Sequence, residues 1–504
     1  MAMRTTQDIL SSAVSDAAAR GRRGTLFMAG SRVSGMAVGL LSSAVMGRLL
    51  TPDDYGLVAM AMSLMMLLNL LKDFGLTTAV VQHDDLRAEQ LDAVFWINLF
   101  VALGFAAIGA LAAPWIARFY SQPSIEPIVY ALCVALLVVS ISSTHAAMLR
   151  RHLNFQPLMW GEMAAQLAGL VVGVGLGWWT RSYWAIVASQ LVSSLATTVV
   201  MWVALPWRPG RPAHLKSANA LVRFGANLSV FSLLNFFSNQ LGAILTGAWL
   251  GAGAAGNFNR AQQLLSLSGS TLMGPISQTT LPVLSRLQND PDGYRQYYYA
   301  LISRTGLFFG LLGAFVVVAG DAVARLLLGP QWVQAGEMYR WFGMAIFAVG
   351  LASQNGNVLM SQGRTTELRH WGLADAGIRA GASGVGIVLG AVGVAAAFGV
   401  STLVVTVPLV FWLIGRNGPL SARGQWASAR PGLVCFVLVA ASGLLVRSLW
   451  WPQAVVAQLA LASGLLASGL ALACVLDAAT RQLVRSTQQA LLQFIRRRRN
   501  PHNA

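Results

Sequence analysis

From about position 25 the chain alternates apolar stretches with short breaks rich in Pro, Gly, Asn and charge. The stretches run to about 20 residues, enough to cross roughly 30 Å of hydrocarbon as helices, which satisfy their own backbone polar groups where water is absent. The breaks predict about fourteen spans, at 25–48, 55–81, 92–117, 127–149, 159–178, 184–205, 221–249, 258–284, 301–325, 335–360, 371–392, 394–415, 431–448 and 453–476. The eighth is the most polar, and the eleventh and twelfth are divided near Gly393. An all-α, polytopic membrane protein is expected.

Composition sharpens this picture. Of 504 residues, 56% are hydrophobic and 11% charged, against about 25% charged in soluble domains. The first 24 residues carry Arg4, Arg20, Arg22 and Arg23 without a short apolar core and cleavage site, so no removable signal is expected and the first span directs insertion. Cys133, Cys435 and Cys474 lie in apolar runs with no CxxC or Cys/His spacing, and the six His residues are scattered. Packing thiols are expected, with no disulfide, metal site, catalytic triad or cofactor.

Charge sets the orientation. With the N-terminus inside, most of the 35 Lys and Arg residues fall on inner segments, as the resistance of basic residues to translocation requires. Fourteen spans with both ends cytoplasmic fit that bias. The net charge of +17 then reflects topology and attraction to anionic lipid heads rather than nucleic-acid binding. Leu483, Val484, Leu491, Leu492, Phe494 and Ile495 interleave with basic residues, so the tail is expected to lie as a helix on the inner membrane face.

Gly47, Leu50 and Gly56 find counterparts in Gly247, Leu250 and Gly256 at a constant offset, on either side of the basic loop PWRPGRPAHLK. Six spans per half is an even number, so such repeats are parallel, related by an axis along the membrane normal. The expected organisation is a cytoplasmic segment (1–24), a six-helix lobe (25–205), a basic linker (206–220), a second six-helix lobe (221–415), two added helices (416–476) and a basic tail (477–504). The two lobes, in pseudo-two-fold repeat, are expected to face each other across a central cavity. Gly169, Gly173 and Gly177, spaced by four, predict close helix contact rather than a phosphate cradle.

The segments GRLLTPDDYGLVAMA, DFGLTTAVVQHDDL, QLDAVFWINL, AGNFNRAQQLLSL, LPVLSRLQND and LLGPQW together resemble the polysaccharide transporter family. These are Wzx-type oligosaccharide flippases of the multidrug/oligosaccharidyl-lipid/polysaccharide exporter superfamily, and the likeness covers roughly residues 25–370. It implies a non-enzymatic flippase that moves undecaprenyl-diphosphate-linked oligosaccharide across the bacterial inner membrane, for exopolysaccharide or lipopolysaccharide synthesis. Alternating access and a hydrated, partly cationic cavity follow, because buried polar groups without partners cost several kcal/mol each and charges far more. Membrane lipids, a polysaccharide polymerase and export machinery are the implied partners. A multidrug antiporter of the same superfamily is the alternative, although twelve spans and an acidic residue in an apolar cavity are usual there. A polymerase or ligase would call for a long outer loop, which the predicted boundaries lack.

The interior polar residues carry the site expectations. Lys72 lies about 14 Å inside the second span at ~1.5 Å per residue, where a charge costs on the order of 2.5–3.5 kcal/mol and normally faces a partner or a wet cavity. Asn69, Lys72 and Asp73 share one helical face. Either Lys72 holds diphosphate while Asp73 tunes its charge or carries a proton, or both neutralise neighbours and pin helices. Arg32 lines the cavity or snorkels to the inner interface. Asn235 and Asn239 bind sugar hydroxyls or bridge helices. Arg260 and Gln278 match the family segments NRAQQLL and SQTTLPVLSR and are cavity candidates. Asp375 and Arg379, four apart, are read first as a local ion pair and second as ligand contacts.

Overall fold

The structure, a computed structural model, describes residues 35, 37–73, 80, 88–152, 154–211 and 219–499. Among them every regular element is a helix: α1 (Ala37–Leu49), α2 (Pro52–Asp73), α3 (Ala88–Phe119), α4 (Ile125–Arg151), α5 (Phe155–Thr180), α6 (Trp184–Ala204) and α7 (Asn219–Ser268). There follow α8 (Ser270–Arg286), α9 (Pro291–Leu328), α10 (Val333–Ala352), α11 (Asn355–Ser361), α12 (Thr365–Val388) and α13 (Gly390–Ser401). A π turn (Thr402–Thr406) leads into α14 (Val407–Arg416), then α15 (Ala422–Leu449), α16 (Val455–Leu476) and α17 (Ala478–Arg499). Among the described residues, nine helices or helix pairs are long and apolar enough to cross a membrane: α2 to α6, α9, α13 with α14, α15 and α16. The remaining expected spans fall on α1, α8 and α11, which are short, and on α7, α10 and α12.

Local sequence chemistry explains several boundaries. TPDD starts α2 with Pro52 at the first helical position and a reciprocal cap: the Asp54 carboxylate accepts from Thr51 N–H (3.0 Å) and from its hydroxyl (2.7 Å), while the Thr51 oxygen accepts from Asp54 N–H (3.3 Å). Asp290 starts α9 in the same way, accepting from Gly293 N–H at 3.0 Å. That cap carries the helix a decade of residues earlier than the expected span at 301–325.

One expected break holds and another shifts. Inside the predicted gap at 250–257 the backbone leaves helical geometry at Gly251 (φ +85°, ψ 179°), which divides α7 into two helical segments, and a further break follows at Gly269. The division expected near Gly393 falls at Gly390, which has φ +82°. Gly393 is needed elsewhere, because α12 and α13 pack back to back there: a Cβ on Gly386 would lie 2.5 Å from Val394 Cα and one on Gly393 2.6 Å from the Gly386 carbonyl oxygen.

The chain divides into two compact units, one running to Gly256 with 327–331 added, the other comprising 257–326 and 332–504. The first has a core of Val58, Met65 and Leu68 from α2, Ala106 and Ala113 from α3, and Ile128, Leu132 and Leu136 from α4. The glycine stripe of α5 packs as expected. Gly169 and Gly173 sit against Ser193 and Ser189 of α6, and Gly177 against Leu49 of α1 and Ala185. In the second unit, Tyr294, Tyr298 and Ile302 of α9 join Phe347, Val407, Phe411 and Phe436, with the Phe347 and Phe436 rings stacked at 4.8 Å. Trp115, Trp178, Trp179 and Trp450 stay exposed at helix ends, where amphipathic rings anchor a bundle at the bilayer interface.

Candidate functional site

In the first unit a band of polar side chains crosses an otherwise apolar bundle. Its centre is SISSTH, residues 140–145 of α4, in which Ser140, Ser142, Thr144 and His145 are all buried. Lys72, near the end of α2 and only 7% exposed, donates from Nζ to Ser140 Oγ at 2.9 Å. Ser140 donates onward to the Leu136 carbonyl at 2.6 Å. Asn98 of α3 donates to Ser143 Oγ at 3.3 Å, and Thr198 of α6 donates to Val138 O at 3.0 Å. Ser140, Ser142 and Ser143 each donate to a carbonyl of their own helix, which is how serine is tolerated within spanning helices, whereas the buried Thr144 hydroxyl has no hydrogen-bond partner among the described residues.

At one end of this band His145 is stacked on Trp202 at 4.7 Å and meets Trp207 edge-on at 5.1 Å. The Arg208 guanidinium lies 4.9 Å from the Trp202 ring centre and donates to the Trp207 carbonyl at 3.0 Å. The loop LPWRPG after α6 is therefore packed, its Gly210 carbonyl accepting from Trp96 Nε1 at 2.8 Å.

The second unit carries its own polar positions. Asn257 Oδ1 accepts from Ala335 N–H at 3.0 Å, capping the start of α10, and one turn on Arg260, 9% exposed, donates to Gln263 Oε1. Ser277 of α8 accepts from Gln354 at 2.8 Å through its hydroxyl and from Asn357 at 3.2 Å through its carbonyl, so the amides of SQNGN fasten α8 to α11. Gln278 is exposed on the neighbouring face of α8. Arg379 pairs with Asp375 at 2.7 Å and lies 5.2 Å from the Phe398 ring centre.

Set against the expectations, Lys72 is enclosed by α2 and α4 within the first unit, and Arg379 is in the local ion pair. Arg260 is buried beside Gln263, and Gln278 is exposed on α8. Arg32 lies outside the described residues, as do the side chains of Asp73, Asn235 and Asn239, whose backbones belong to α2 and α7. Sequence reasoning passed over SISSTH and SQNGN. The available signal was several consecutive hydrogen-bonding side chains inside a run that membrane insertion should keep apolar.

Buried polar bands inside apolar helices of spanning length define a polytopic helical membrane protein with a hydrogen-bonding interior. The chain belongs to the polysaccharide biosynthesis protein family, whose model matches residues 45–337. It is 24% identical over 331 residues to the lipopolysaccharide biosynthesis protein WzxC of Escherichia coli K12, covering 65% of this chain and 67% of that protein. To the succinoglycan biosynthesis transport protein ExoT of Rhizobium meliloti it is 23% identical over 406 residues, covering 78% and 80%. To the teichuronic acid biosynthesis protein TuaB of Bacillus subtilis it is 24% identical, and the match spans 62% of that relative. Its fold is that of the lipid II flippase MurJ in an inward closed conformation, with TM-score 0.66, 10% identity, and coverage of 88% of this chain and 98% of that one. An inward-facing multidrug resistance MATE family transporter shares it at TM-score 0.57 and 14% identity, over 79% and 95%.

Proposed function

We propose that this chain is a flippase for oligosaccharide repeat units carried on undecaprenyl diphosphate, acting by alternating access in a bacterial inner membrane with both termini cytoplasmic. The observation that carries this reading is membership of the polysaccharide biosynthesis family combined with a lipid II flippase fold over nearly the whole of that chain. The physical task fits the interior. A sugar head crossing hydrocarbon needs hydrogen-bonding partners along its way, and the hydroxyls and amides of SISSTH and SQNGN are such groups held at depth. Lys72 supplies positive charge behind the first band, acting on diphosphate through Ser140 rather than by open contact. Asp73, Arg32, Asn235, Asn239, Arg260 and Gln278 are proposed to complete the polar path, and Arg379 to be held back by Asp375. No bond is made or broken in this scheme, and a polymerase and export machinery would take up the product.

Proteoliposomes loaded with undecaprenyl-diphosphate oligosaccharide test the reading. The chain is expected to expose internal oligosaccharide to a membrane-impermeant lectin, whereas exposure equal to that of empty vesicles would overturn it. The shared fold with a multidrug transporter favours drug export as the second reading, and protection of a drug-sensitive host against cationic dyes would select it.

A further inference from the structure

A cluster of arginines in the second unit goes beyond the transport reading and stands without it. It sits where α9 and α15 end and α10 and α16 begin. Asp321 is nearly buried, and its carboxylate accepts from Arg447 at 2.8 and 3.0 Å and from Arg325 at 3.1 Å. Arg325 also donates to Gln458 Oε1 at 2.7 Å, and Arg447 stacks on Trp451, 5.0 Å from the ring centre. Two glycines bring α9 and α10 together, since a Cβ on Gly336 would lie 2.8 Å from Asp321 Cα and one on Gly320 3.1 Å from Arg340. This close approach lays the stem of Arg340 across α9.

At Ala319 the backbone of α9 leaves helical geometry (φ −123°, ψ 15°). The carbonyls of the two preceding residues accept from arginine side chains: Val317 O from Arg340 Nε at 2.9 Å and Val318 O from Arg447 Nη1 at 3.0 Å. Among the described residues no hydrogen bond or ion pair engages the two terminal nitrogens of Arg340. Three guanidiniums thus face one buried carboxylate and the exposed Glu337, one turn before Arg340. The cluster is cationic and has donors to spare. In the chain it is bordered by exposed apolar residues: Leu326, Val333, Leu449, Trp450 and Val456.

We propose that Arg340, with Arg325 and Arg447, binds the phosphate of an anionic membrane lipid whose acyl chains run along those apolar residues. Guanidinium forks match phosphate oxygens in pairs, and only a ligand that is both anionic and apolar fits both parts of the surface.

The test uses the full chain in detergent, titrated with phosphatidylglycerol, with phosphatidylethanolamine and with inorganic phosphate, reading bound lipid by native mass spectrometry and Tm. Phosphatidylglycerol is expected to bind and raise Tm, and phosphatidylethanolamine to do neither. Arg340→Gln, which leaves every Asp321 bond in place, is expected to weaken phosphatidylglycerol binding about fivefold, the share of one interfacial arginine. Arg340→Lys keeps the charge and should lose less. Should Arg340→Gln fail to fold, comparison of wild type with Arg340→Lys and Arg325→Gln gives the same ordering. Equal binding by wild type and variants overturns the site, and stabilisation by inorganic phosphate equal to that by phosphatidylglycerol overturns the lipid assignment.

Discussion

Gly56 and Gly256 each lie where a side chain would strike the other's helix. A Cβ on Gly56 would overlap the Ala252 carbonyl oxygen, and one on Gly256 the Pro52 carbonyl oxygen. The two contacts are exchanged by a shift of 200 positions, 52 with 252 and 56 with 256, the same offset that relates Gly47, Leu50 and Gly56 to their counterparts. Small residues let backbones approach this closely where lipid supplies no hydrophobic drive.

Alanine at Gly56 is therefore expected to destabilise the first unit by about 1–3 kcal/mol, the usual cost of overfilling a packed contact. Gly39→Ala is the control, because nothing lies within 4 Å of its position. Thermal unfolding of the two variants in one detergent should separate them, and equal Tm values would remove the contact from the argument.

Lys72→Met keeps the volume and removes the charge. Delivery of lipid-linked oligosaccharide to the outer face should fall at least about tenfold, equivalent to roughly 1.4 kcal/mol, while protein level holds. Ser140→Ala removes the observed acceptor of Nζ and should cost about 1 kcal/mol of stability. Normal polysaccharide output from Lys72→Met would dismiss the cation from the transport path.

Asp375 and Arg379 form a double-mutant cycle. Asp375→Asn leaves a largely enclosed guanidinium short of its carboxylate and should lower Tm. Adding Arg379→Gln should restore part of the loss, because the pair is coupled. Strict additivity of the two changes would show the ion pair to be idle.

Asp477 joins the last span to the tail helix. Its carboxylate accepts from Thr480 N–H at 2.9 Å and from the Thr480 hydroxyl at 2.7 Å, capping α17, and pairs with Arg430 of α15 at 3.0 Å. Burial pushes this carboxyl up, but the Thr480 hydrogen bonds and Arg430 outweigh it and hold it below the usual carboxylate range. A folded-state pKa below the unfolded value of about 3.9 makes the contribution complete above that pH and lost as pH falls through the lower folded value. Asp477→Ala should cost about 1 kcal/mol of helix stability and speed proteolytic release of the tail at neutral pH. An unchanged cleavage rate would show that the cap does not hold the tail.

Much of the fold was legible in the linear pattern. Run length and apolarity located the spanning helices, whereas the caps at TPDD and DPDG, whose chemistry needs only neighbours in sequence, set helix starts that run length missed, α9 beginning at Pro291 rather than near 301. The glycine stripe of α5 could be read from its spacing, because a period of four places small residues on one face. Gly393 could not: its role is contact with Gly386 across a hairpin, so the φ > 0 break moved to Gly390. The polar band was half visible. Lys72 stood out as a charge at depth, whereas SISSTH did not, because serine and threonine can hide in a helix by bonding to their own backbone, and only burial shows which ones matter.

By itself the sequence determined a membrane-spanning helical chain and its family, since transfer of apolar side chains into lipid and backbone self-satisfaction are properties of each segment taken alone. Tertiary structure decided which polar groups meet: Lys72 with Ser140, Asn98 with Ser143, Asp321 with Arg447. Those partners are far apart in the chain or on different helices, and hydrogen bonds act only at about 3 Å, so nothing short of the packed bundle brings them together.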